Sequence, residues 1–191
     1  SARLYERTGE AGYLRWAEYE LDWFHERKLY DGTGVVDVPG HIGDYWTYNQ
    51  GAFIGGLTAL YQATGKETYL EEAIKVTGTV LKNAGLTTPE GVLLEKLGTS
   101  GWDPGLFKGI CIRYLAHLRD VLDSKGMHPE TAREIDRCIQ ASVASLLRHG
   151  VGEDGQYTIE WHESAKDRTR NFNTHLSALT ALIALLPDKH P

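Results

Sequence analysis

The sequence is poor in several residue types and patterns that would narrow its function. It holds two cysteines, one methionine and six prolines in 191 residues. Cys111 and Cys138 fall on different predicted helices, and neither has a histidine or a second cysteine at ligand spacing. A zinc finger or a disulfide framework is therefore excluded, and buried free thiols are the expected state, with a single disulfide as the alternative. No HExxH or comparable motif occurs, so no metal and no cofactor is expected. No block of Lys or Arg is present and the formal net charge is −6, which argues against a nucleic-acid partner. The longest apolar stretch, Leu176 to Leu186, is interrupted by Ser177 and Thr180 and is too short for a membrane span. Ser1 to Glu10 is polar and charged, unlike a signal peptide.

What is present is ordinary globular composition and an internal repeat. Apolar residues make up 41% and charged residues 24%, enough for one sizeable core. Leu4-Tyr5-x-x-Thr8-Gly9-x-x-x-Tyr13-Leu14 matches Leu60-Tyr61-x-x-Thr64-Gly65-x-x-x-Tyr69-Leu70. Each Gly suits the left-handed position that ends a helix. Each Tyr-Leu pair opens the apolar stripe of the next helix, clearest in Tyr69, Leu70, Ala73, Ile74, Thr77, Val80, Leu81 and Ala84. The unit is thus helix, short Gly turn, antiparallel helix. The helix before Gly65 is expected from Thr47 to Thr64, whereas only eight residues precede Gly9, so the first unit reads as a truncated copy. Further helices are expected from Phe107 to Leu122, Pro129 to Arg148 and Asn173 to Leu186, the last stopped by Pro187. Gly55, Gly56 and Gly109 cost helix propensity and would permit close backbone approach between helices.

Longer connections lead from each hairpin into the next. Asp31-Gly32-Thr33-Gly34-Val35-Val36-Asp37, Glu90-Gly91-Val92-Leu93-Leu94-Glu95 and Asp154-Gly155-Gln156-Tyr157-Thr158-Ile159-Glu160 each place a turn before a β-prone run. Long loops gathered at one end make that end the candidate functional face. Trp46, Tyr48, Asn49 and Gln50 stand where the first such loop enters its helix. They read either as an aromatic platform with amide partners or as a core cap and a helix start. Asp103, before Pro104, reads equally as a helix cap or as a hydrogen-bond partner for a ligand, with Trp102 beside it. Lys108 could pair with Asp103, reach the cleft or lie on the surface. Asp44, Glu95 and Glu160 read as solvated loop charges. His41, His162 and His175 lie near the same face without metal-ligand spacing, and Arg170 to His175 could add a polar rim.

The strings Tyr45-Trp46-Thr47-Tyr48-Asn49-Gln50-Gly51-Ala52-Phe53-Ile54-Gly55 and Phe107-Lys108-Gly109-Ile110, with the Leu-Tyr-x-x-Thr-Gly unit, resemble glycoside hydrolase family 76 over nearly the whole chain. The resemblance implies an all-α (α/α)6 toroid of helical hairpins, of which residues 1–191 would be one single-domain fragment holding about the last seven helices. It implies a glycosidase of the endo-α-1,6-mannanase kind, acting on a polysaccharide or oligosaccharide through two adjacent aspartates in the N-terminal half. No Asp-Asp dipeptide occurs here, so no catalytic residue is expected in this chain. Glycoside hydrolysis needs two placed carboxyls, one protonated and one ionised, and a fragment without them should be inactive alone. The resemblance also favours Trp46, Tyr48, Asn49, Gln50, Trp102, Asp103 and Lys108 as substrate-binding positions. An open arc would need a partner, either the missing N-terminal half or a second copy of the chain. Relatives include secreted and cell-surface enzymes, and the sequence itself does not assign a compartment. Rival readings are another toroid sugar enzyme, of the unsaturated glucuronyl hydrolase or N-acylglucosamine epimerase type, and a non-catalytic glycan-binding helical-repeat module. The epimerase type would bring His41, His162 and His175 together.

Overall fold

The structure is a computed structural model that describes residues 1–83, 85–98, 101–162 and 169–186. Its helices are α1 (Ala2–Thr8), α2 (Ala11–Glu26), α3 (Thr47–Thr64), α4 (Glu67–Gly78), α5 (Pro104–Lys125), α6 (Pro129–His149) and α7 (Phe172–Ile183). Among the described residues, seven α-helices in the expected order confirm the all-α reading.

The repeated motif acts through its backbone. Gly9 and Gly65 sit at φ 73° and 71° and donate their N–H groups to Tyr5 O and Tyr61 O, at 2.8 and 2.7 Å. The Thr before each Gly donates its hydroxyl to the Leu carbonyl one turn back, Thr8 to Leu4 O and Thr64 to Leu60 O, and accepts the N–H of Glu10 or Lys66. Leu, Tyr, Thr and Gly of the motif are therefore one closing device used twice. Gly126, at φ 64°, ends α5 in the same left-handed conformation.

The hairpins form an arc in which α1, α3, α5 and α7 are neighbours along the inside. The helices α2, α4 and α6 back them from outside. The inner helices α3 and α5 bury residues all round, from Gln50 through Tyr61 and from Lys108 through Leu122. The outer α6 buries one stripe, Ala132, Ile135, Cys138, Ile139, Ser142, Val143 and Leu146, at helical spacing. Glycine sets the spacing inside the arc. A Cβ on Gly51 would lie 2.5 Å from Cys111 Cα, and one on Gly109 would lie 2.6 Å from Ser177 Cα. On Gly55 a Cβ would strike the Tyr114 ring, whereas Gly56 faces open space. Close approach thus holds for Gly55 and Gly109 and not for Gly56. Cys111 and Cys138 are both buried free thiols, and burial pushes both above the ordinary thiol range.

Helix limits shift by about a turn in places. α5 begins at Pro104, three residues before Phe107, because Pro104 fits the first helical turn. α4 gives way at Thr79–Asn83 to one π-helical turn; Ala84 lies outside the described residues. α7 ends at Ile183 rather than Leu186, since Leu185 and Leu186 bond three residues back, to Leu182 O and Ile183 O. Pro187 lies outside the described residues. The β-prone runs reduce, among the described residues, to three isolated antiparallel bridges: Tyr30 with Val35, Thr87 with Leu93 and Val151 with Tyr157. There is one in each long loop, so the loop repeat is structural.

Candidate functional site

The three long loops deliver their ends to the N-termini of α3, α5 and α7. Within the first loop Asp31 accepts the N–H groups of Thr33 and Gly34, each at 2.9 Å, which closes the turn before Val35. Gln50, fully buried on α3, then clamps that loop. Its Oε1 accepts Val35 N at 2.8 Å, and its Nε2 donates to Val35 O at 2.7 Å and Trp46 O at 3.1 Å. The amide of Gln50 is thus spent on backbone, which holds the loop to α3.

Trp46 and Tyr48 are half-buried and meet Phe107 from the next inner helix. The Tyr48 and Phe107 ring centroids are 4.3 Å apart, and Trp46 meets Phe107 edge-on at 5.5 Å. Tyr48 donates its hydroxyl to Asp37 Oδ1 at 2.6 Å, and Asn49 Nδ2 donates to the same oxygen at 2.5 Å. Burial, then hydrogen bonding to Asp37, pushes the Tyr48 phenol up to about 12. Asn49 also lines a cavity of about 400 Å³ bounded by Phe24, Ala52, Phe53 and Gly56, between α1, α2 and α3.

Trp102 is 72% exposed and its carbonyl accepts Asn173 Nδ2 at 2.9 Å, which ties the loop before α5 to α7. Asp103 stands at the N-cap position of α5, exposed, with helical φ and ψ and no side-chain cap bond. The cap reading for its carboxylate is corrected: a capping side chain needs an extended backbone, which Asp103 lacks. α7 carries the side-chain cap instead, a reciprocal box between Asn171 and Thr174. Asn171 and Arg170 of the anticipated polar rim therefore serve locally, Arg170 pairing with Asp154 at 2.5 Å.

Two loop carboxylates read as solvated are instead packed, Glu95 buried and Glu160 half-buried. Glu95 is 6% exposed and accepts both the hydroxyl of Thr47 and its N–H. Burial pushes its carboxyl up to about 7, against the hydrogen bonds from Thr47 and the charge of Lys108. Lys108 is 2% exposed, so the surface-lysine reading falls. Its ammonium donates to Ile159 O at 2.6 Å, lies 3.5 Å from Glu160 Oε2 and stands 4.9 Å from the Trp161 ring centre. Glu160 is also 3.4 Å from His162 Nε2. Asp44 remains exposed beside His41, at 3.4 Å. The three histidines keep separate company: His41 with Asp44, His162 with Glu160 and His175 against the Tyr157 ring. Among the described residues no group of three or more His, Cys, Asp or Glu side chains could hold a metal ion.

The profile of glycosyl hydrolase family 76 matches residues 1–191. The chain belongs to that family. Family 76 relatives include the mannan endo-1,6-alpha-mannosidase DCW1 of Candida glabrata, 25% identical over 96% of this chain and 42% of the relative. The enzyme of the same name from Saccharomyces cerevisiae gives the same identity and coverage. Among solved family 76 structures, the α-1,6-mannanase GH76A from Salegentibacter sp. HEL1_6 superposes with a TM-score of 0.80 at 28% identity. The match covers 96% of this chain and 54% of that one. An inactive variant of that mannanase, substituted at two consecutive aspartates, in complex with α-1,6-mannotriose, superposes at 0.78 and 29% identity, with the same coverage. The chain spans about half the length or less of the family 76 proteins it matches.

Several residues of this face carried little sequence signal. Phe107 reads as helix core until its ring meets Tyr48. Asp37 ends a β-prone run like any loop carboxylate. The burial of Glu95 follows from Thr47 and Lys108, which lie 48 residues before it and 13 after it, so no local pattern announces it.

Proposed function

We propose that the protein containing this chain is a glycosidase that cleaves α-1,6-linked mannan, and that this chain supplies part of the substrate-binding wall while the catalytic aspartate pair lies outside it. One observation carries the reading. The chain superposes over 96% of its length on a mannanase whose inactive variant, changed at two consecutive aspartates, is complexed with α-1,6-mannotriose. Residues 1–191 contain no two consecutive aspartates. Both carboxyls of a glycosidase must flank one glycosidic bond, so a wall without them can bind the sugar and not break it.

Within the wall, Trp46, Tyr48, Asn49, Trp102 and Asp103 are the positions that present rings or polar groups toward the loop end. Half-buried rings held in place by Phe107 offer flat apolar surface, and Trp102 offers an exposed one. Gln50 and Lys108 support the wall from behind, through the Val35 backbone and the 159–161 loop.

The remaining surface supports a partner that completes the arc. Trp16, Tyr19 and Trp23 on α2 and Phe172, Leu176, Leu179 and Ile183 on α7 are exposed apolar side chains at the two ends of the arc. The other part of the ring would cover them, either from the same protein or from a second copy.

The test compares the intact protein with the 191-residue chain. The intact protein is expected to release α-1,6-mannooligosaccharides from an α-1,6-mannan backbone, and the 191-residue chain alone to release none. Turnover by the chain alone would place the catalytic carboxyls inside it and overturn the reading. An intact protein that binds α-1,6-mannotriose without turnover would leave only a binding module.

A further inference from the structure

The three loops share a feature beyond their turns. Each ends on a carboxylate just after its β-bridge, two residues on in the first two loops, Val35 to Asp37 and Leu93 to Glu95, and three residues on in the third, Tyr157 to Glu160. The helical repeat thus brings three carboxylates to equivalent places around one face.

Two of them are consumed in holding the neighbouring inner helix. Glu95 uses Oε1 and Oε2 on Thr47 at the head of α3. Glu160 turns to Lys108 on α5 and to His162, with its side chain 12% exposed. Asp37 is different. It is exposed, and both of its donors, Tyr48 and Asn49, converge on the single oxygen Oδ1. Among the described residues its Oδ2 takes part in no hydrogen bond. The two donors fix the plane of the carboxylate while leaving half of its acceptor capacity turned to solvent.

The surroundings of that oxygen suit a sugar. The Tyr48 ring that aims Asp37 lies tilted against Phe107, which Trp46 also meets edge-on, so an apolar surface and an oriented anion adjoin each other. Asn49, the second donor, also lines the cavity beside α3. A hydroxyl that donates to a carboxylate makes a charge-assisted bond, stronger than one to a neutral acceptor.

We infer that Asp37 is a further substrate-binding residue, its Oδ2 accepting a hydroxyl of a mannosyl unit packed against the Tyr48–Phe107 rings. The inference rests on the α-1,6-mannan reading above. It makes Tyr48 and Asn49 positioning residues as well as wall, because they aim the carboxylate. It also gives a reason why this loop ends in the shorter Asp where the other two end in Glu: a longer side chain reaches the neighbouring helix, and the shorter one stays at its own helix head.

The experiment is calorimetric titration of the intact protein with α-1,6-mannotriose. Asp37→Asn keeps an Oδ1 acceptor for Tyr48 and Asn49 and removes the charge. It is expected to weaken affinity on the order of tenfold or more with an unchanged thermal midpoint. Tyr48→Phe keeps the ring and removes one aiming donor. It is expected to lose a smaller factor, and it stands in if Asp37→Asn does not fold. Wild-type binding with unaltered affinity in either folded variant overturns the inference and leaves the mannan reading intact. A wild-type protein that does not bind the trisaccharide overturns the reading itself, and this inference with it.

Discussion

Glu95 and Thr47 join two loop–helix junctions through one buried carboxylate, which accepts both the hydroxyl and the backbone N–H of the threonine. The head of α3 is therefore fastened by a residue 48 positions later in the chain, on the loop that leads into α5. The contact also places an ionisable group where little water reaches it, and that has consequences for stability.

Stability should depend on pH through Glu95. A carboxyl raised from 4.5 to about 7 in the folded state binds its proton more tightly there than in the unfolded chain. Between those values the folded state holds more protons, so stability falls as pH rises. The contribution is fully present below pH 4.5 and lost above about 7, an interval worth about 3 kcal/mol. Urea unfolding followed across this range should show the decline, and Glu95→Gln should flatten it. An unchanged slope in the variant would assign the titration elsewhere.

Lys108 gives a coupled prediction. Lys108→Met removes a buried donor from Ile159 O and an opposing charge from Glu160, a change that costs on the order of 3–5 kcal/mol. Because Lys108 also lowers the Glu95 carboxyl, its loss should move the midpoint of the pH-dependent decline above 7. A double-mutant cycle of Glu95→Gln with Lys108→Met, read by chemical denaturation, should return a non-zero interaction energy.

The glycines separate by what faces them. Gly109→Ala drives a methyl into the Ser177 backbone, and Gly51→Ala drives one into the Cys111 backbone. Each should destabilise by about 1–3 kcal/mol or more despite better helix propensity. Gly56→Ala meets nothing within 4 Å and should stabilise by up to about 1 kcal/mol. Equal effects at Gly56 and Gly109 in thermal unfolding would contradict the packing described.

The cap of α7 is the fourth. Asn171→Ala removes the acceptor for Thr174 N and should cost about 1 kcal/mol in denaturation, whereas Asp103→Ala, at a position with no side-chain cap bond, should cost little. Comparable losses would restore a capping role to Asp103.

Much of the architecture was legible because its signals are local. The Thr-Gly closures, the apolar stripes and the Pro starts act within one or two turns, and the limits of α3 follow from them to the residue. The site was less legible because its contacts are distant. Gln50 is a polar residue at a helix start, and only the proximity of Val35, 15 residues earlier, shows that its amide is occupied. Lys108 sits among Phe107, Gly109 and Ile110, and its partners come from the 159–161 loop. Asp103 failed as a side-chain cap for a different reason. The Asp-Pro pairing is a common helix start, but the backbone at Asp103 had already become helical.

The backbone contacts at Gly51 and Gly109 have a bearing on recognition. Helices that touch main chain to main chain cannot slide or spread without losing contact altogether, so the gaps between the heads of α3, α5 and α7 behave as fixed intervals. Rings and polar groups mounted on those heads then keep constant separations, a spacing that would serve the α-1,6-mannan reading proposed above, in which the bound polymer repeats at a constant pitch.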